Sequence, residues 1–234
     1  MKIYTHYQNL LQKLPVFDGV PALLIRLYLA PVFIIAGYSK TGVGNPDVTG
    51  LASLAADANI VAWFGNSDWG LGLPFPTLLA NLAAWTELLG GWLLLFGLLT
   101  RLVSIPLMFT MIVAAASVHL DNGWFAITPT NPDTSPAKVL SWAGIDGSAA
   151  SLENSLEAKK RLDRMRDIID ENGNPDWLYE KGNIVVLNNG IEFAVTYLIM
   201  LLALFFIGAG RFTSIDYYLN RGLAAKHQQH QHFA

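Results

Sequence analysis

Five ionisable side chains interrupt the apolar segments of this sequence, namely Arg26, Lys40, Glu87, His119 and Glu192. A charge at the centre of a bilayer costs about 2.5–3.5 kcal/mol on insertion scales, so residues of these types seldom face lipid. Held inside a membrane protein, they can carry protons or bind a ligand. A carboxylate and an arginine can equally form a buried ion pair that only fixes how helices pack. Both interpretations are open for Glu87 and Arg26.

Glu87 is the most informative of the five because of the residues around it. The stretch WTELLGGWLLLFGLLTR (residues 85–101) is almost wholly apolar apart from this carboxylate. At about 100° per residue, Glu87 shares its helix face with Ala80, Ala83, Gly90 and Gly91. Small residues let two helix backbones approach closely. The pattern therefore predicts that Glu87 points into a contact between helices and away from lipid.

The elements that must position these residues are membrane helices. The chain is 53% hydrophobic and 14% charged, whereas a soluble domain carries about 25% charged residues. A membrane span needs roughly 17–25 mostly apolar residues. Four segments qualify, at about residues 20–39, 77–99, 102–120 and 191–210. The sequence predicts an all-α fold, a four-transmembrane-helix bundle that forms a single membrane domain over residues 1–234.

Basic residues predict how the bundle is oriented. Arg101 lies in the short turn between the second and third spans, and the C-terminal tail is also basic, whereas residues 41–76 contain no Lys or Arg. Short loops rich in Lys and Arg stay on the cytoplasmic side. We therefore predict a multi-pass membrane protein with both termini in the cytoplasm.

This orientation predicts an outward-opening polar pocket. Lys40, His119 and Glu192 fall near the outer boundary, Glu87 lies roughly 15 Å deeper, and Arg26 lies towards the inner side. In this pocket we expect Glu87 and His119 to handle protons. We expect the lining to include Arg26, Lys40, Glu192 and Trp124. The plainer alternatives are interfacial positions for Lys40 and Glu192 and a structural role for His119.

Two outer links complete the predicted fold. In the first, Leu51, Leu54, Ala58 and Val61 recur at helical spacing, which predicts a short helix at the membrane interface, with an ordinary ordered loop as the alternative. The second is a long insertion over residues 121–190. It contains an amphipathic helix that ends near Gly173, with an apolar face formed by Leu152, Leu156, Leu162, Met165 and Ile169. Its interleaved charges favour a solvated face with ion pairs over an anion-binding site.

Composition and motifs exclude several functions. A net charge of −3 argues against a nucleic-acid partner, and the absence of cysteine removes thiolate chemistry. The chain contains no P-loop, no dinucleotide-binding fingerprint and no nucleophile elbow, so no cofactor site is evident. A structural zinc site needs four ligands, and the absence of cysteine argues against one here. The histidines of the tail, His227, His230 and His232, give only a weak metal-binding signal, and a mobile polar tail is the favoured interpretation.

The polar motifs of the spans resemble those of the DoxX family. They are LLIRLYLAPVFIIAGYSK in the first span, WTELLGGWLLLFGLLTR in the second, HLDNGW after the third and IEFAVTYLIMLLALFFIGAGRFTSID in the last. The resemblance implies a four-helix protein of the bacterial inner membrane, and the HvfX-like subgroup is a further expectation from it. It also places Arg26, Lys40, Glu87, Arg101, His119 and Glu192 on the recurrent polar positions of the family. The insertion over residues 121–190 departs from the short link of many members.

Three functions follow from the resemblance and the intramembrane charges. The first is an accessory membrane subunit that acts in redox or in metal and oxidative-stress physiology through a protein partner in the membrane or periplasm, without enzymatic activity of its own. The second is a quinone-reactive oxidoreductase subunit of the thiosulfate:quinone type, in which Glu87 and His119 handle protons. A quinone is therefore the cofactor that the resemblance brings into consideration. The third is a small transporter.

Overall fold

The computed structural model describes residues 2–11, 17–45 and 47–232. Helix accounts for 71% of the chain, and the described residues contain no β-strand, which confirms the all-α prediction. The α-helices are α1 (Lys2–Leu11), α2 (Gly19–Lys40), α3 (Ala58–Gly65), α4 (Pro76–Phe96), α5 (Thr100–Ala114), α6 (Ala137–Trp142), α7 (Ser148–Asn172), α8 (Pro175–Leu178), α9 (Glu192–Ile207) and α10 (Ile215–His232).

The chain divides into two compact units, and each is described by itself. Residues 118–193 form one unit, and the chain before and after them forms the other. We call the first the inserted unit and the second the helix bundle. The insertion predicted over residues 121–190 coincides closely with the inserted unit, so this segment has a compact structure of its own.

The core of the helix bundle is shared by α2, α4, α5 and α9. Its buried apolar side chains are Ala22, Leu29, Ala30, Phe33, Leu94, Val103, Leu107, Met111, Leu201 and Leu204. Each helix contributes to this cluster from one face and leaves large apolar residues exposed on the other. An exposed apolar face is what a helix needs when lipid surrounds it.

Within the described residues, three helical segments are long and apolar enough to cross a membrane, namely Gly19–Lys40, Pro76–Phe96 and Thr100–Asn122. They match the first three predicted spans. The third continues α5 through a π-helix, Ala115–His119. The fourth predicted span, residues 191–210, is longer than the helix that forms, since α9 has 16 residues and ends at Ile207. Gly208 follows with a positive φ of 82°, a conformation that ends a helix.

The link before α4 forms two short helices where the spacing predicted one. Gly50–Leu54 is a 3-10 helix, and α3 begins only at Ala58. The break arises because the Asp57 carboxylate accepts a hydrogen bond from the Asn59 backbone N–H at 2.8 Å and so begins a new helix. An indole hydrogen bond from Trp85 to the Leu54 carbonyl, at 2.8 Å, joins this link to α4.

Helix α7 of the inserted unit has nearly the predicted bounds but buries a different face. The buried side chains are Ser148, Ser155, Ala158 and Leu162, whereas Leu156 and Met165 are half exposed. The predicted face was therefore wrong in part, because small side chains form the stripe that packs against α6 and the Pro132–Thr134 turn. The predicted ion pairs are present, among them Lys159 with Asp163 and Lys160 with Glu157.

Candidate functional site

Lys40 and Glu87 form an ion pair inside the helix bundle. Glu87 lies in the middle of α4 and is 5% exposed. Lys40 is the last residue of α2, and its side chain is 24% exposed. The pair therefore joins a buried carboxylate to an ammonium that retains some contact with the surroundings. The prediction that Glu87 faces another helix is confirmed by this contact.

Glycines on both helices bring α2 and α4 close enough for this pair. A Cβ on Gly37 would lie 2.3 Å from the Leu88 nitrogen and 2.7 Å from the Ala84 carbonyl oxygen. A Cβ on Gly91 would lie 2.7 Å from the Ile34 nitrogen. Real Cβ atoms do not approach backbone this closely, so both positions require glycine. Of the predicted small-residue face, Gly91 therefore meets α2, whereas Gly90 packs against Leu107 of α5.

The relative depth of the two charges differs from the prediction. The sequence placed Glu87 roughly 15 Å below Lys40 on the assumption that both helices start at the same level. Because Gly37 packs against Ala84 and Leu88, the end of α2 is level with the middle of α4. The first turns of α4 extend past α2 and pack against α3 and the link before it. Lys40 therefore reaches the carboxylate directly.

Arg26 is buried at the other end of α2 and is bound to backbone carbonyls. Its Nε donates to the Leu94 carbonyl at 2.7 Å. Its Nη1 donates to Ala209 at 2.6 Å and to Thr213 at 3.3 Å. Its Nη2 donates to Leu95 at 2.9 Å and to Thr213 at 3.2 Å. A guanidinium has five N–H donors, so these bonds use all of them.

These bonds define what Arg26 does. Leu94 and Leu95 lie in the last turn of α4, and Ala209 and Thr213 lie in the turn after α9. Carbonyls at helix ends lack partners inside the helix, and a cation there also interacts favourably with the helix dipole. The alternative of a Glu87–Arg26 pair is wrong, because Glu87 pairs with Lys40. The contacts of Arg26 are those of a residue that holds helix ends together.

Gly97 shows how tightly this end is packed. It adopts a positive φ of 63°, and a Cβ there would lie 2.7 Å from the Arg26 Cζ atom.

At the same end of the bundle, the Asp216 carboxylate accepts hydrogen bonds from the N–H groups of Leu99 at 2.7 Å and Thr100 at 2.9 Å. Asp216 thereby caps the N-terminus of α5, which the sequence did not single out as a site. A sequence signal was present in the order Thr-Ser-Ile-Asp at residues 213–216. Ser214 precedes α10 and accepts a hydrogen bond from the Tyr217 N–H, which places Asp216 in the first turn of that helix.

The first half of the helix bundle matches a known family. The family model for DoxX matches residues 22–120, which include α2, α4, α5 and the residues Arg26, Lys40 and Glu87. This part of the chain is a DoxX domain. Among curated proteins and among solved structures, no match to the chain is found.

The DoxX match limits how far the resemblance extends. It covers the first three apolar helices and ends at residue 120. All but the first three residues of the inserted unit lie beyond it, as does α9. The similarity of the last span to the family therefore stays a prediction, as does the HvfX-like subgroup. The DoxX domain and the apolar helices together make the chain a multi-pass membrane protein.

Three further predicted site residues belong to the inserted unit. His119 ends the π-helix, and its Nδ1 lies 2.8 Å from the Asn189 carbonyl oxygen. The Glu192 carboxylate accepts a hydrogen bond from the Ala126 N–H at 2.9 Å. Trp124 is half exposed. A π-helix often marks a functional position, and the predicted roles of these three residues stay predictions.

The weak metal signal falls on the C-terminal helix. The backbone of α10 continues to His232, so the chain is helical where a polar tail was predicted. The side chains of His227, His230 and His232 lie outside the described residues. Within the part of the chain that the structure describes, no group of three His, Asp or Glu side chains is arranged to hold a metal ion.

Proposed function

We propose that this DoxX protein is an accessory subunit of a bacterial inner-membrane complex, and that it acts in redox or in metal and oxidative-stress physiology through a protein partner. The observation that supports this most is the exposed apolar surface of the inserted unit. A unit of this kind, carried between membrane helices, gives the bundle a means of binding a second protein.

The surface is concentrated in one short segment. Val139, Leu140, Trp142 and Ile145, which we call the Trp142 surface, lie within seven residues, and all four are about half exposed or more. Trp142 itself is 74% exposed. Apolar patches of this kind mark sites of interaction, and tryptophan is enriched among the residues that contribute most to binding. We therefore assign partner binding to the Trp142 surface.

The test is purification of the full chain from its native membranes in mild detergent, with quantification of stoichiometric partners. We expect a redox or metal-handling protein to co-purify and to cross-link within residues 137–145. The double variant Trp142→Ser, Ile145→Ser should lower its recovery more than tenfold, since two residues of this kind contribute about 2 kcal/mol or more. Arg161→Ser, an exposed position on α7, is the matched control.

Two outcomes would count against the accessory role. In the first, the partner is recovered equally well with the double variant, so the Trp142 surface does not bind it. In the second, the purified chain alone catalyses a quinone-linked oxidation at enzymatic rates, which would make it an enzyme in its own right.

The Lys40–Glu87 pair supports a second candidate, a quinone-reactive subunit. A lysine ammonium can donate hydrogen bonds to a quinone carbonyl oxygen, and a buried carboxylate can carry a proton. Reduction of a quinone takes up two electrons and two protons. In this proposal a partner redox subunit supplies the electrons, and Glu87 carries one of the protons.

Glu87→Gln tests the second candidate because it preserves shape and removes the charge. We expect quinone-dependent turnover of the native complex to fall by about 10²- to 10⁴-fold, the usual contribution of a positioned acid or base. Glu153→Gln, at an exposed position on α7, is the control. Unchanged turnover with Glu87→Gln would show that Glu87 is not the proton carrier and would leave the accessory role intact.

A further inference from the structure

A cavity of about 790 Å³ lies at the end of the helix bundle opposite the Lys40–Glu87 pair. Its wall is formed by the start of α2, the turn between α4 and α5, the turn after α9 and the start of α10. Two of the candidate membrane spans begin here and a third has just ended. Its position along the spans is therefore that of the lipid headgroups. We call it the arginine cavity after Arg101 and Arg211, which line it.

Arg101 has donors available in this cavity. It is exposed, and one of its Nη2 hydrogens is bound to the Phe206 carbonyl oxygen at 3.1 Å. A guanidinium carries five donors, and among the described residues no further hydrogen bond or ion pair of Arg101 is present. Arg211 follows α9 on the same wall, with its guanidinium 5.4 Å from the Phe212 ring centroid. Two arginine side chains with planar, multidentate donors suit the oxygens of a phosphate group.

The acidic residues on the wall do not cancel this positive charge. The Asp216 carboxylate is already bound by the N–H groups of Leu99 and Thr100. It also lies within electrostatic range of the buried Arg26. When Arg26 is counted with the charged residues of the wall, three arginines face the carboxylates of Asp18 and Asp216, and the balance is one positive charge. A ligand that carries one negative charge would neutralise the cavity.

Ser214 and Asn220 also line the cavity, and much of the remaining wall is apolar and exposed. Leu99, Leu102 and Ile207 line the cavity and are each half exposed or more, and the ring of Tyr217 lies beside them. Such side chains are compatible with acyl chains and unsuited to a free ion in water. Tyrosine is also enriched at the level of lipid headgroups. The cavity thus combines a cationic end with an apolar side.

We propose that the arginine cavity binds the phosphate headgroup of an anionic phospholipid, with Arg101 as the principal hydrogen-bond donor to the phosphate. The same chemistry would recognise a free phosphate ester, but the apolar wall favours the lipid. Binding there would hold together the ends of four helices. It does not depend on the Trp142 surface or on the Lys40–Glu87 pair.

The experiment uses the full chain in mixed micelles, with bound lipid counted by native mass spectrometry. The probes are phosphatidylglycerol, phosphatidylcholine and water-soluble glycerol phosphate. We expect the wild-type protein to retain phosphatidylglycerol preferentially, and Arg101→Gln to lower that retention about five- to tenfold, the effect of one charged contact at a headgroup. Arg221→Gln, an exposed arginine of α10 outside the cavity, should leave it unchanged.

The wild-type protein alone also tests the proposal, in case Arg101→Gln does not fold. Its preference for phosphatidylglycerol should weaken in 1 M NaCl, because surface charges are then screened within about 3 Å. Equal retention of phosphatidylglycerol and phosphatidylcholine at low salt would overturn the proposal. Displacement of the lipid by glycerol phosphate at similar concentration would also overturn it, in favour of a site for soluble phosphate esters. Full retention by a folded Arg101→Gln variant would remove Arg101 from the site.

Discussion

Helix α2 carries a cation near each end, Arg26 buried and Lys40 partly exposed, and the two are held in opposite ways. Arg26 and Lys40 are 14 residues apart, which is about 21 Å along the helix. Arg26 donates five hydrogen bonds to main-chain carbonyls of two other segments. Lys40 is bound to one carboxylate, that of Glu87. One end is fixed by the backbone, and the other depends on a single side chain.

The difference separates a structural charge from one that is able to take part in chemistry. Carbonyls do not change charge, so the Arg26 contacts are the same in every protonation state. The Lys40–Glu87 pair has a titratable group on each side and partial exposure on the lysine side. The pair can therefore change its charge state, whereas the Arg26 contacts cannot. We expect mutations to affect stability most at the Arg26 end and activity most at the Lys40 end.

Arg26→Met should have the largest effect on stability. Methionine fills a similar volume, but it leaves the carbonyls of Leu94, Leu95, Ala209 and Thr213 without their shared donor. Removing one side of a buried charged network costs about 3–5 kcal/mol. We expect a large drop in the melting temperature in mild detergent, or failure to accumulate in the membrane.

The control for Arg26→Met is Arg221→Met, which replaces an exposed arginine and should change stability by at most about 0.5 kcal/mol. Arg26→Lys should be intermediate, because an ammonium offers three donors where five are used. A wild-type melting temperature for Arg26→Met would show that the carbonyl contacts contribute little and would remove the contrast between the two ends.

Lys40→Met should have the next largest effect, and it should exceed that of Glu87→Gln. The first change leaves a carboxylate that is 5% exposed without its cation, at a cost of about 3 kcal/mol. The second leaves a partly exposed ammonium without its carboxylate, which should lower the free energy of unfolding by about 1–2 kcal/mol. The double variant should cost less than the sum, because the two residues form one interaction. Unfolding in denaturant measures all three, and equal single effects would contradict this asymmetry.

Gly37→Ala tests whether close helix contact positions the pair. The added Cβ would meet backbone atoms of Leu88 and Ala84, which cannot yield as a side chain would, so the helices must separate. We expect a loss of about 2–3 kcal/mol, with Lys40 moved away from Glu87. Gly222→Ala, where nothing lies within 4 Å of the added Cβ, is the matched control and should be neutral or slightly stabilising.

Most of the bundle follows from the sequence, because apolar length and small-residue spacing are local signals. The bounds of α2 and α4 and the inward-facing Glu87 are of this kind. The partner of Glu87 was not predictable. Arg26 and Lys40 lie on one stripe of α2, and only the packing of Gly37 against Ala84 shows which of them is level with the carboxylate. A pattern along one helix does not contain the offset between two helices.

The same limit explains the error in the inserted unit. The apolar residues Leu156 and Met165 predicted the buried face of α7, but the packed stripe uses Ser155 and Ala158. Hydrophobicity identifies a face when a wide core must be filled. When a short neighbouring helix packs closely, small side chains take that face, and the sequence alone does not say how close the neighbour will be.

The smallest expected effect concerns the exposed ion pairs of α7, which provide the opposite extreme to Arg26. The hydrogen bond from Lys159 lowers the pKa of Asp163, and that from Lys160 lowers the pKa of Glu157. A lowered folded-state pKa gives stability that is present above the unfolded value, near pH 4, and that is lost as the pH falls through the folded value. We therefore expect a slight, salt-sensitive decrease in thermal stability of the inserted unit below about pH 4.

The variant Lys159→Gln, Lys160→Gln should abolish the pH dependence that these two pairs contribute, whereas Arg26→Lys should leave it unchanged. Insensitivity of this transition to 1 M NaCl would show that buried groups are responsible, since only exposed pairs are screened so readily.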